Sequence, residues 1–128
     1  MIEALQAMGS VIFDPYLLAL VFGTTILGVV IGVLPGLGAT TGAALLLPFT
    51  LTMEPVHAIA VLATIYVSAT FAGSITAIVI NTPGTSAAAA TTFDGYPLAQ
   101  KGEAGRALGI AVVSSTIGGV FSIIVLCI

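Results

Sequence analysis

Apolar residues run almost unbroken along this chain, and the few polar positions fall in short groups that divide it into segments. Over 1–13, Ile2, Leu5, Met8 and Ile12 recur at near-helical spacing and predict a short helix lying in a membrane interface. Without a Lys or Arg there, its membrane affinity would rest on apolar burial alone. Asp14 followed by Pro15 reads as an N-cap and first helical position. The helix they start is predicted over about 15–34, long enough to cross about 30 Å of hydrocarbon. The next apolar stretch, about 40–49, is too short to cross alone, and Pro48 and the threonines at 50 and 52 mark its end. Thr52 then reads as the cap of a helix with Glu54 and Pro55 in its first turn, spanning about 53–80 with room for tilt. A second short segment is predicted over about 85–92, a polar loop over 93–106, and a final apolar helix over about 104–128.

Small residues pattern these helices. Gly28, Gly32 and Gly36 are spaced by four, and Ser68, Ala69, Ala72, Gly73, Thr76 and Ala77 line one face of the long middle helix. Faces of this kind let membrane helices approach closely, so both are expected to pack on other helices.

Composition turns this pattern into a class. Of 128 residues, 59% are hydrophobic and 5% charged, against about a quarter charged in a soluble domain. Too few charges exist to cover a water-facing surface, so the fold class is all-α, a polytopic integral membrane protein with Pro-Gly broken helices or re-entrant hairpins. The net charge of −3 sets five acids against Lys101 and Arg106, which leaves no basic patch for nucleic acid. Both cations sit in the 93–106 loop, placing it on the cytoplasmic side by the positive-inside rule. Cys127 stands alone in an apolar run and reads as a buried structural thiol. The N-terminus lacks the basic start of a cleaved signal peptide, and the last helix stops with neither cap nor flanking charge, as if the chain continued.

Two stretches interrupt the apolar runs at what would be membrane depth. In Leu34-Pro-Gly-Leu-Gly-Ala-Thr-Thr, Pro35 removes an amide and Gly36 and Gly38 open unusual backbone angles. Asn81-Thr-Pro-Gly-Thr-Ser repeats the device, and Leu34-Pro-Gly-Leu-Gly-Ala aligns with Thr82-Pro-Gly-Thr-Ser-Ala at an offset of 48 residues. Irregular backbone survives at this depth only against protein or a wet cavity. Helix restarts there expose amides carrying about half a positive charge, which hold carboxylates without Lys or Arg. The candidate substrate-binding residues are therefore Gly38, Ala39, Thr40, Thr41, Asn81, Thr82, Thr85 and Ser86, with Pro35, Gly36, Pro83 and Gly84 as the helix breaks. Carbonyls freed at the breaks make Gly36, Gly38, Asn81 and Pro83 candidate Na⁺ ligands. The plainer alternative makes both stretches hinges with a structural purpose only.

Catalysis finds little to work with. Ser74 has no base beside it in sequence, His57 reads as interfacial, and no acid lies within the spans. Gly36-x-Gly38 is followed by Thr41 where a dinucleotide fingerprint needs glycine, and the lysine of a phosphate-binding loop is missing. The chain is expected not to be an enzyme and to need no cofactor beyond a coupling cation, Na⁺ or H⁺. Ser68, Thr76 and Ser114 are too sparse for a continuous channel lining.

Gly-Val-Leu-Pro-Gly-Leu-Gly-Ala at 32–39, Leu-Leu-Pro-Phe-Thr at 46–50, Asn-Thr-Pro-Gly-Thr-Ser at 81–86 and Phe-Asp-Gly-Tyr-Pro-Leu-Ala-Gln-Lys-Gly at 93–102 occur in that order. Together they resemble the large membrane subunit of the bacterial tripartite tricarboxylate transporters, from about Asp14 to Gly109. One departure is Ala72-Gly73-Ser74, where the family pattern has Gly-Gly-Ser. The resemblance implies that 1–128 is the N-terminal part of one transmembrane transporter domain in a bacterial inner membrane. It implies secondary active uptake of citrate or another carboxylate, driven by a cation gradient. Its implied partners are a small membrane subunit and a periplasmic substrate-binding protein. The competing class is a membrane assembly or scaffold subunit that transports nothing.

Overall fold

A computed structural model describes residues 13–127, and regular structure among them is entirely helical. Helix α1 is Pro15–Val33, α2 Gly38–Thr50, α3 Pro55–Ile80, α4 Ala89–Gln100 and α5 Ala104–Cys127, with a 3-10 turn Ser86–Ala88 before α4. Helices α1, α3 and α5 are long and apolar enough to cross a membrane. The protein is an all-α polytopic membrane protein. The interfacial helix expected over 1–13 lies outside the described residues, apart from Phe13 in a turn.

Proline sets the helix ends. Asp14 has extended backbone and its Oδ1 accepts the Tyr16 amide at 2.9 Å, while Pro15 fills the first helical position, where an amide would have no partner. Pro35 forces Leu34 into the extended region (φ −79, ψ 112), and α1 stops at Val33. At α3 the expected Thr52 cap is incorrect. Pro55 holds its predecessor extended, so Glu54 takes the cap position (φ −60, ψ 145) without a side-chain cap bond. Thr52 instead donates its hydroxyl to the Phe49 carbonyl at 3.0 Å. Pro48 lies inside α2, two residues before its end.

Helix α3 is the centre of the fold. Its buried face contains Ser68, Ala69, Ala72, Gly73, Thr76 and Ala77, together with Ile65 and Ile78. Gly28 of α1 meets Ser68, and Gly32 meets the backbone of Ala69, where an added methyl would fall 2.7 Å from the Ala69 Cα. The contacts advance in the same direction on both helices, so α1 and α3 run parallel with their backbones in close approach. Buried hydroxyls on α3 are satisfied by their own helix: Ser68 donates to the Thr64 carbonyl at 2.7 Å and Thr76 to that of Gly73 at 3.1 Å. Helix α2 folds back, and a methyl on its Gly42 would make ordinary contact with Ile31 and Ile65.

The loop expected over 93–106 is mostly helix. Asp94-Gly95-Tyr96-Pro97, read as a turn from its composition, lies within α4. Gly95 is buried against Ile78 so closely that a methyl would stand 2.7 Å from Ile78 Cγ1. Docking on α3 therefore outweighs the local turn preference, and the connection shrinks to Lys101–Glu103, with Gly102 at φ 83. Helix α5 leans on α4 and α3 near its start, where Ala107 is buried. Cys127, expected to be buried, is exposed.

Candidate functional site

The first site segment is the turn between α1 and α2. Leu34 is extended, Gly36 takes φ 92, the Leu37 amide closes on the Leu34 carbonyl at 3.2 Å, and Gly38 restarts the helix at φ 60. Both positive angles lie where a side chain is strained, so glycine is the residue that permits this tight reversal. No side chain caps the first turn of α2. Because Gly32 abuts Ala69, the reversal sits about midway along α3.

The second segment reaches the same level from the opposite end of α3. Asn81 ends α3 in the left-handed region (φ 56, ψ 26), and its amide returns to the Thr76 carbonyl. Asparagine tolerates that conformation better than most residues. Residues 82–85 then double back along the last turns of α3. The Gly84 amide donates to the Gly73 carbonyl at 3.3 Å. Gly84 is wedged against the Gly32 carbonyl, and a methyl on it would stand 2.9 Å from the Gly73 Cα. The 3-10 turn and α4 start from this point, again without a side-chain cap.

The two helix starts face one cleft of about 430 Å³, within the range of roughly 300–1,000 Å³ that small-molecule sites occupy. Of the sequence-predicted residues, Gly38, Ala39, Thr40, Thr41, Thr85 and Ser86 line it, as do Gly36, Pro83 and Gly84. Asn81 and Thr82 are exposed and lie outside the lining, as does Pro35. Among the carbonyls considered for Na⁺, those of Gly36, Gly38 and Pro83 belong to lining residues and that of Asn81 does not. Tyr66 and Thr70 of α3 complete the wall. Sequence reading missed this pair, although their spacing of four on a spanning helix places both on one face.

No carboxylate, imidazole, ammonium or guanidinium lines the cleft among the described residues. An anion there would meet peptide dipoles and hydroxyls alone. The Thr70 hydroxyl is already committed, donating to the Tyr66 carbonyl at 2.7 Å. Thr85 is different. Its Oγ1 is buried against Gly73 of α3 and has no hydrogen-bond partner among the described residues.

A family model described as the tripartite tricarboxylate transporter TctA family matches residues 17–128. The chain belongs to that family. An Agrobacterium vitis protein described as an uncharacterized 52.8 kDa protein in the TAR-I ttuC' 3' region is 46% identical over 107 residues, which cover 84% of this chain and 21% of that protein. The chain thus spans about a fifth of the length of that curated relative. No solved structure matches it. TctA is a family of transporter components rather than of enzymes, and membership makes this cleft a candidate transport site.

Proposed function

We propose that the protein performs secondary active uptake of tricarboxylates or related carboxylates across a bacterial inner membrane, driven by a Na⁺ or H⁺ gradient. The observation that carries this reading is the convergence of two uncapped helix starts, far apart in sequence, on one uncharged cleft in a chain of a transporter family. The substrate carboxylates are held by the first-turn amides of α2 and of the 3-10 turn leading into α4, with the Thr40, Thr41 and Ser86 side chains beside them. The coupling cation takes carbonyls of Gly36, Gly38 and Pro83. The partners are a small membrane subunit and a periplasmic binding protein that delivers the substrate.

Magnitudes favour ion coupling. Carrying one negative charge inward against a potential of roughly 100 mV costs about 2.3 kcal/mol, and a trianion about 7 kcal/mol. A helix start contributes at most about 2 kcal/mol to holding a carboxylate, so binding alone does not drive the cycle. Three or more cations, or protonation of the substrate, offset the electrical cost.

The test is uptake of labelled citrate and related carboxylates into proteoliposomes holding the full-length protein with both partners. Saturable uptake that requires a Na⁺ or H⁺ gradient and falls in Thr40→Ala is expected. Equal uptake after both gradients are collapsed would sink the coupled mechanism. No uptake of any carboxylate, with a folded binding protein present, would favour a scaffold subunit.

A further inference from the structure

At the other end of the α1–α3 pair, away from the cleft, one imidazole joins the beginnings of the two helices. His57, in the first turn of α3, has Nε2 at 3.4 Å from Asp14 Oδ2 and Nδ1 at 3.6 Å from Glu54 Oε2. The Tyr16 ring meets it edge-on, with centroids 5.3 Å apart at 84°. The His57 side chain is 16% exposed, against 37% for Asp14 and 81% for Glu54. Among the described residues, the titratable groups facing the ring are Asp14 and Tyr16 at the start of α1 and Glu54 at the cap of α3, while Thr52 and Met53 complete the surroundings.

A neutral imidazole carries one N–H and one lone pair, whereas the protonated ring has two donors. With a carboxylate beside each nitrogen, either neutral tautomer points its lone pair at an anion. Nε2 lies within hydrogen-bond reach of Asp14 and Nδ1 within ion-pair reach of Glu54, so only the imidazolium is attracted to both carboxylates. We propose that Asp14, His57 and Glu54 form a proton-binding site that clasps the first turn of α1 to the first turn of α3. The proton comes from water and adds to a ring nitrogen, and no other covalent bond changes. The Asp14 carboxyl is held below its ordinary range, chiefly by the Tyr16 amide and also by His57, against the opposing effect of burial. Asp14 is therefore the anionic partner of the ring. Helix α1 leads into the Leu34–Leu37 turn and α3 carries Tyr66, so proton occupancy sets how firmly the two cleft walls are tied. This site stands on its own geometry, whatever the cleft carries.

The test uses the full-length protein with ring-¹⁵N histidine in lipid bilayers, the His57 signal being the one lost in His57→Gln. Between about pH 5 and 8, a population with both ring nitrogens protonated is expected. In Asp14→Asn/Glu54→Gln that population shrinks at the same pH; asparagine keeps the acceptor for the Tyr16 amide, so the helix start is retained. A ring protonated on one nitrogen throughout, or an unchanged population in the double variant, would overturn the site. Thermal unfolding gives a second readout. The melting-temperature gap between wild type and His57→Gln should be wider at the acid end of that range, and a gap of constant width at all pH values would mean a packing role only.

Discussion

Gly84 is the residue on which the cleft geometry most depends. A methyl there collides with the Gly32 carbonyl and crowds the Gly73 Cα and the Thr76 Oγ1, in a place where all three neighbours are held by helix backbone or a buried contact. Gly84→Ala is expected to cost about 1–3 kcal/mol, the usual range for overpacking, read as a lower unfolding temperature of the full-length protein. Thr85 packs against Gly73 and separates the hydroxyl's role from that of its shape. Thr85→Val keeps the shape and removes a buried hydroxyl that bonds to nothing, so folding stability should hold or rise slightly while carboxylate uptake falls; unchanged uptake would remove Thr85 from the site. Asn81 belongs to a different category. Its φ of 56 means that Asn81→Ala strains the end of α3 by roughly 1–2 kcal/mol, whereas Asn81→Gly relieves it. Equal thermal stability of these two variants would contradict the left-handed cap. Lost uptake in Asn81→Ala would therefore say little about substrate contact.

At the scale of elements, α1 is fixed at its start by a charge and along its length by close approach. The lowered Asp14 pKa comes first from the Tyr16 amide at the helix start. A carboxyl whose folded-state pKa is depressed stabilises above its unfolded value and loses that stabilisation as pH falls through the folded one. Wild type and Asp14→Asn should therefore differ at neutral pH and converge in acid, below the ordinary carboxylate range, when their unfolding temperatures are compared across pH. Persistent separation in strong acid would assign the difference to shape rather than charge. Helix α4 shows the opposite balance, in which tertiary contact overrides local preference. Gly95 and Pro97 are poor helix interior residues, yet the segment is helical because Gly95 lets it settle on Ile78.

Over the whole molecule, two chain reversals enter from opposite ends of α3 and meet near its middle, and α3 supplies the wall between them. An arrangement of this kind concentrates helix dipoles at one place without a charged side chain. If the protein carries a trianion with at least three cations, making the liposome interior more negative should leave uptake unchanged or faster. Slower uptake under a potassium-diffusion potential would instead show that net negative charge moves inward.

Sequence alone determined the membrane class, because 59% apolar and 5% charged residues leave no way to cover a surface in water. It also determined the helix boundaries at Asp14–Pro15 and Leu34–Pro35, where a missing amide and a fixed φ act locally, whereas Pro48 and Pro97 lie inside helices. The small-residue face of α3 was legible for the same reason: spacing alone puts those positions on one side. Tertiary structure decided what spacing cannot carry. It drew Asp94–Pro97 into a helix through contact with Ile78 and left Asn81 and Thr82 outside a cleft that Tyr66 and Thr70 help to form. Which residues line a site depends on where distant backbones cross, and here those crossings are set by the close approach of Gly32, Gly73 and Gly84.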